Sequence, residues 1–161
     1  MGESRTVLNL VSDILAFLTA TSLGLLVGAM LTGGLVLLPY WRSLLPADFL
    51  AWFATNGQQL YSFYAPLTQT ALLLAIAAAI TSVLLGSSNR WLAILAAILA
   101  VAVSATYFLY FQKANASFAA ATIDANDVPV ELARYAVWQW VRIVLGFVGF
   151  AAALLALRRP I

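Results

Sequence analysis

Residues 134–157 read RYAVWQWVRIVLGFVGFAAALLAL. An apolar run of this length matches the roughly 20 residues a helix needs to cross a hydrocarbon core about 30 Å thick. Backbone N–H and C=O groups in lipid must be bonded within the segment, which makes the run a helix. It opens on Arg134 and Tyr135, ends before Arg158-Arg159-Pro160, and holds one interior cation, Arg142.

Three more runs of the same kind precede it. They cover about 15–38, which ends at Pro39-Tyr40-Trp41, about 61–85, which stops at Gly86-Ser87-Ser88-Asn89-Arg90, and about 91–111. The first is longer than the 7–15 residues of a secretory signal core and lacks an A-x-A site, so it is read as a retained span. The chain is therefore expected to be all-α: an integral membrane four-helix bundle of up-down topology, with residues 1–161 forming a single transmembrane domain. Composition agrees. Of 161 residues, 64% are hydrophobic and 9% charged, against about 25% charged in soluble domains, and the mean hydropathy is +0.98.

The chain has no cysteine and no histidine. Disulfides, Cys/His zinc sites, His- or Cys-ligated haem and a histidine general base are excluded. No metal or cofactor is expected. The eight cations are scattered, so there is no basic patch for nucleic acid.

An even number of spans puts both termini on one side, with Arg5, Arg90, Arg158 and Arg159. Arg42, Lys113 and Arg134 lie on the other, with Asp48, Asp124, Asp127 and Glu131. Four cations against three place both termini in the cytoplasm of a cell membrane by the positive-inside rule. The stretch 47–56, ADFLAWFATN, is either a short interfacial helix after the first span or an apolar loop packed on helix ends. The loop at about 112–133 is expected to be partly helical. The triplet Asn115-Ala116-Ser117 matches a glycosylation sequon, but an Ala- and Leu-rich chain of this kind reads as bacterial.

Small residues allow close helix contact in lipid. Gly24-xxx-Gly28-xxx-Thr32 with Gly33 and Gly34, the series Ala96, Ala97, Ala100 and Ser104, and Gly146 with Gly149 are candidates.

Polar residues gather in the half of the bundle opposite the termini. Tyr135, Trp138, Gln139 and Arg142 share one face of the last helix at spacings of three and four. At the same depth lie Tyr61, Tyr64, Thr68 and Gln69 of the second span and Ser104, Tyr107, Tyr110 and Asn115 of the third, with Thr32 and Tyr40 of the first. The other half has little that is polar besides Asp13. A charge at mid-membrane costs from about 2.5 kcal/mol upward. Arg142 is retained if it faces the bundle interior, in a structural network or beside a cavity, or if it snorkels to the surface. The cavity reading makes Arg142, Gln139, Tyr135, Asn115, Tyr107, Tyr110, Tyr64 and Gln69 the ligand-binding candidates, for an aromatic or quinone-like molecule.

In layout the chain resembles the anthrone-oxygenase-like family of small four-helix membrane proteins, and a DoxX-like four-helix layout is comparable. The residues that carry the first resemblance are Gly24, Gly28, Gly33 and Pro39 in the first helix, Asn115 where a Pro-x-Asn element ends the third, and Arg142 in the fourth. Lys113, Tyr135 and Gln139 stand where that family has Pro, Trp and His. The resemblance implies oxidation of an anthrone-like aromatic without an evident metal, and replacing the His by Gln139 removes the base. The small loops and glycine-rich faces imply instead a non-catalytic accessory subunit contacting other membrane subunits. The accessory subunit is the functional expectation, and a small-molecule-binding protein or cofactor-free oxygenase acting at Arg142 is the alternative.

Overall fold

The computed structural model describes residues 2–158, with side chains from Thr6 onward. Arg159 and Pro160, and the side chains of Glu3 and Arg5, which entered the charge comparison, lie outside the described residues. Six α-helices follow in order: α1 (Gly2–Thr32), α2 (Leu38–Ser43), α3 (Pro46–Leu84), α4 (Arg90–Thr106), α5 (Gln112–Ala119) and α6 (Val128–Ala156). A π-helical turn over Gly33–Leu37 joins α1 to α2, and another over Tyr107–Phe111 joins α4 to α5. The helical stretches Thr6–Ser43, Pro46–Leu84, Arg90–Ala119 and Ala125–Ala156 are long and apolar enough to cross a membrane. No strand occurs among the described residues.

The helices pack as a closed ring. α1 and α4 each lie against both α3 and α6. At its centre small and aliphatic side chains interlock: Leu23, Leu26 and Met30 of α1, Ala71 and Ala75 of α3, Ala96 and Ala100 of α4, Ala152 and Ala153 of α6. The alanines of α4 are buried as the small-residue series implied. Gly146 and Gly149 meet α1 and α4: a Cβ on Gly146 would lie 2.6 Å from Met30 Cε, and one on Gly149 would lie 3.2 Å from Leu99 Cβ. Gly28 is different, exposed and with nothing within 4 Å of an added Cβ. Within the Gly24-Gly28-Thr32 series, Gly24 meets α6, where an added Cβ would lie 3.0 Å from the Phe150 ring, while Gly28 meets nothing.

The first span does not end at Pro39. A proline ring in a helix clashes with the carbonyl four residues back, here that of Leu35, which lies inside the π turn. The widened turn accommodates Pro39, and the helix runs on to Ser43. After a break at Leu44 and Leu45, Pro46 starts α3 in the first-turn position where its missing N–H costs nothing. The segment 47–56 is neither an interfacial helix nor a loop. It forms the first turns of α3, a continuous helix of 39 residues, about 58 Å long at 1.5 Å per residue. Phe49, Leu50 and Phe53 are buried and pack with Trp41, Phe118 and Tyr135 in an aromatic cluster at the end of the bundle away from the termini, the distal end. Edge-to-face contacts dominate there, such as Phe49–Phe118 at 5.0 Å and Phe111–Tyr135 at 4.8 Å. Burial on this side draws the segment into the bundle.

The turns close with standard chemistry. α3 ends at Gly86, φ +64°, with Gly86 N–H bonded to Val83 O and Ser87 N–H to Ser82 O, a Schellman motif. α5 ends in the same way on a residue that has a Cβ, Ala121 at φ +49°, with Ala121 N–H on Phe118 O and Thr122 N–H on Ser117 O. Asp124 Oδ1 accepts from Asn126 N–H at 2.8 Å, and α6 follows. The loop expected at 112–133 thus shrinks to 120–124 plus one short 3₁₀ turn.

Candidate functional site

A cavity of about 380 Å³ lies in the distal half of the ring. Its rear wall is the α1–π–α2 stretch and α6, where Met30, Gly33, Trp41, Tyr135 and Gln139 are buried. Its front is α3 with the α4–π–α5 helix, which contribute Tyr61, Tyr64, Thr68, Gln69, Ser104, Tyr107 and Asn115. Towards the bundle centre the lining turns apolar, with Leu26, Leu72 and Val103.

The two π turns shape this cavity. Gly33 opens the first, and a Cβ there would lie 3.0 Å from Gln139 Nε2 and 3.2 Å from Tyr64 Oη. Glycine lets both side chains reach α1. Gln139 Nε2 donates to Met30 O at 2.7 Å, and the Tyr64 hydroxyl donates to Ala29 O at 2.9 Å. Gln139 is 1% exposed, so this bond satisfies one of the two donors of an amide nitrogen that water does not reach.

The second π turn rotates the third span. Its bonds close over five residues instead of four, so each residue turns through a smaller angle and Tyr110 no longer follows Tyr107 on one face. Tyr107 lines the cavity; Tyr110 does not. The Tyr110 hydroxyl donates to Glu131 Oε1 at 2.7 Å, and its ring stacks on Trp138 at 5.3 Å and 7°. Phe111 takes the inward place.

Arg142 points inward. Its guanidinium lies 4.2 Å from the centre of the Phe111 ring and 5.6 Å from that of Tyr64. It makes no ion pair or hydrogen bond among the described residues, and its Nε is buried without a partner. Two other buried side-chain atoms share that condition, Trp41 Nε1 and Asn115 Oδ1. All three residues line this cavity, and no Asp or Glu does.

Of the eight candidates, Arg142, Gln139, Tyr135, Asn115, Tyr107, Tyr64 and Gln69 are thus brought together around one cavity, and Tyr110 is drawn away to Glu131. Trp41, Gly33 and Phe111 were not among them. Trp41 follows Pro39, where the helix was expected to stop, and an aromatic ring under a cation leaves no polar signal in the sequence.

The other half of the bundle is less apolar than its composition implied. A crevice of about 300 Å³ is lined by Ser12, Asp13, Thr19, Ser82, Ser87 and Asn89. Its polar groups are largely satisfied by main chain: Thr19 Oγ1 donates to Leu15 O at 2.7 Å, and Asn89 Nδ2 to Ala156 O at 3.3 Å and to Arg158 O. Among the described residues no group of three or more Asp or Glu side chains is placed to hold a metal ion.

No family model matches the chain, and no curated protein or solved structure matches it either.

Proposed function

We propose that this chain is a multi-pass membrane protein, with both termini cytoplasmic, that binds a membrane-soluble small molecule in the Arg142 cavity. The observation that carries the reading is Arg142 itself, a cation held inside the ring with aromatic faces for neighbours and no protein group bonded to its nitrogens. A structural network would satisfy those nitrogens. A half-buried cation whose Nε has no partner is costly, and a site that retains one is organised for something the protein does not itself contain. Aromatic walls with a few convergent polar groups are the usual anatomy of a small-molecule pocket, and the rings of Tyr64, Tyr107 and Trp41 suit a flat aromatic or quinone-like ligand.

The resemblance to the anthrone-oxygenase-like family supports the ligand class more than the reaction. Gln139, at the family's His position, is committed to Met30 O and cannot serve as a base. Binding is therefore the reading adopted, without turnover. The accessory-subunit reading has no observation of its own, because exposed apolar helix faces serve lipid and partner helices equally.

The test is native mass spectrometry of protein extracted from its membrane in mild detergent. The wild type is expected to retain a small-molecule mass that Arg142→Gln loses while keeping its helical circular dichroism. A bare wild type co-migrating with other polypeptides would favour the accessory subunit instead.

A further inference from the structure

The cavity is closed on most sides. The distal end is sealed by the aromatic cluster around Phe49, Phe53 and Phe118, and the bundle centre by Ala71, Ala100 and Val103, all buried. On the rear wall the lining residues of α1 and α6 are buried or half-buried. The exposed lining residues lie on one side, Tyr61 and Gln69 of α3 facing Phe108 and Gln112 of the α4–π–α5 helix. Tyr61 is 47% and Phe108 72% exposed. The Tyr61 and Tyr107 rings meet across this gap at 6.0 Å. Phe63 and Leu109, two residues beyond Tyr61 and Tyr107 in sequence, are exposed apolar residues, so the helices that flank the gap carry apolar side chains outward beside the polar Gln69 and Gln112.

The unpartnered groups inside also have a sign. Arg142 and Trp41 offer donors, and Asn115 offers its carbonyl or, with the amide rotated, its NH₂. A lone guanidinium in a lining without carboxylates makes the cavity cationic. A neutral carbonyl would leave that charge uncompensated. An oxyanion would both pair with it and accept hydrogen bonds from it.

We propose, resting on the reading of this cavity as a binding site, that its ligand is an apolar aromatic molecule with a single acidic head bound as the oxyanion. It passes sideways from the lipid through the gap between α3 and the α4–π–α5 helix. The head lies at Arg142, Trp41 and Asn115, and the ring system lies toward Leu72 and Val103. Tyr61 and Tyr107 form the threshold.

Anthracene-2-carboxylate and its methyl ester are a matched, fluorescent pair of probes. They are titrated into the full-length protein in nanodiscs at pH 8, where the acid is ionised. One charge-assisted hydrogen bond is worth about tenfold or more in affinity, so the acid is expected to bind at least about tenfold more tightly than the ester. Arg142→Gln is expected to erase the difference. Equal binding of acid and ester would overturn the acidic head while leaving a ligand site in place. Binding of neither probe above the Arg142→Gln level would overturn both this inference and the function proposed above.

The route is tested separately. The chain has no cysteine, so Tyr61→Cys with Tyr107→Cys gives a protein with only two thiols, which a short bis-maleimide can bridge. The bridged protein is expected to take up the acid at least about tenfold more slowly than the same unbridged variant, which controls for folding. An unchanged uptake rate would refute passage through this gap.

Discussion

Replacing Arg142 by Met is expected to stabilise the ligand-free protein. The guanidinium has no ion pair and no hydrogen bond among the described residues. Its compensation is the face of Phe111 at 4.2 Å, with Tyr64 farther off at 5.6 Å. A desolvated cation–π contact contributes about 2 kcal/mol, whereas an arginine within the hydrocarbon core costs about 2.5–3.5 kcal/mol. Methionine keeps an aliphatic stem against the same rings. The difference predicts a gain of about 0.5–1.5 kcal/mol. The assay is reversible unfolding in mixed micelles by increasing SDS fraction, followed by circular dichroism. With a ligand of this site present at about 100 times its dissociation constant, the wild type gains about 2.7 kcal/mol by mass action and the variant none. The order of stabilities then reverses. A ligand-free Arg142→Met protein destabilised by more than about 1 kcal/mol would refute the reasoning, because it would mean that Arg142 is a structural partner.

Three further perturbations probe features around the cavity. Gly33→Ala places a methyl group against the Gln139 amide and the Tyr64 hydroxyl; weakening their two bonds to α1 should cost about 1–2 kcal/mol in the same unfolding assay. Ala121→Gly relieves a left-handed residue at the end of α5 and should raise stability by about 1 kcal/mol; a loss instead would mean that the Schellman turn is not strained. Tyr110→Phe removes the bond to the Glu131 carboxylate at a cost of about 1.5–3 kcal/mol and should leave anthracene-2-carboxylate affinity unchanged, since this ring is outside the cavity.

What could be read from the sequence differs between spans and site. The four long apolar helices were legible because runs of that length and polarity, as a membrane would require, have few other readings. Helix ends were less so. Asn56, Gly57, Gln58 and Gln59 interrupt the apolar pattern like a loop, yet α3 runs through them, because Phe49 and Phe53 have an aromatic cluster to bury against. Tyr135, Gln139 and Arg142 could be grouped from their α-helical spacing, and α6 is regular there. Tyr110 was misplaced because it was grouped by depth alone, and the π turn carries it to another face of the helix. Nothing in YFLYF distinguishes a five-residue closure from a four-residue one. The contact of Gly33 with Gln139 and Tyr64 joins residues from three helices, so no local pattern announces it.

The brevity of the connections has a practical consequence for proteolysis. Arg42, Lys113 and Arg134 all lie inside helices, and the turn at 120–124 has no basic residue. A protease needs several residues of extended chain, so trypsin finds little to cut at the distal end. Arg90, by contrast, is the first residue of α4, directly after the turn at Gly86. In sealed vesicles, a cut after Arg90 that divides the chain into halves therefore reports that the ends of the polypeptide face the enzyme, and protection of that bond reports the opposite sidedness.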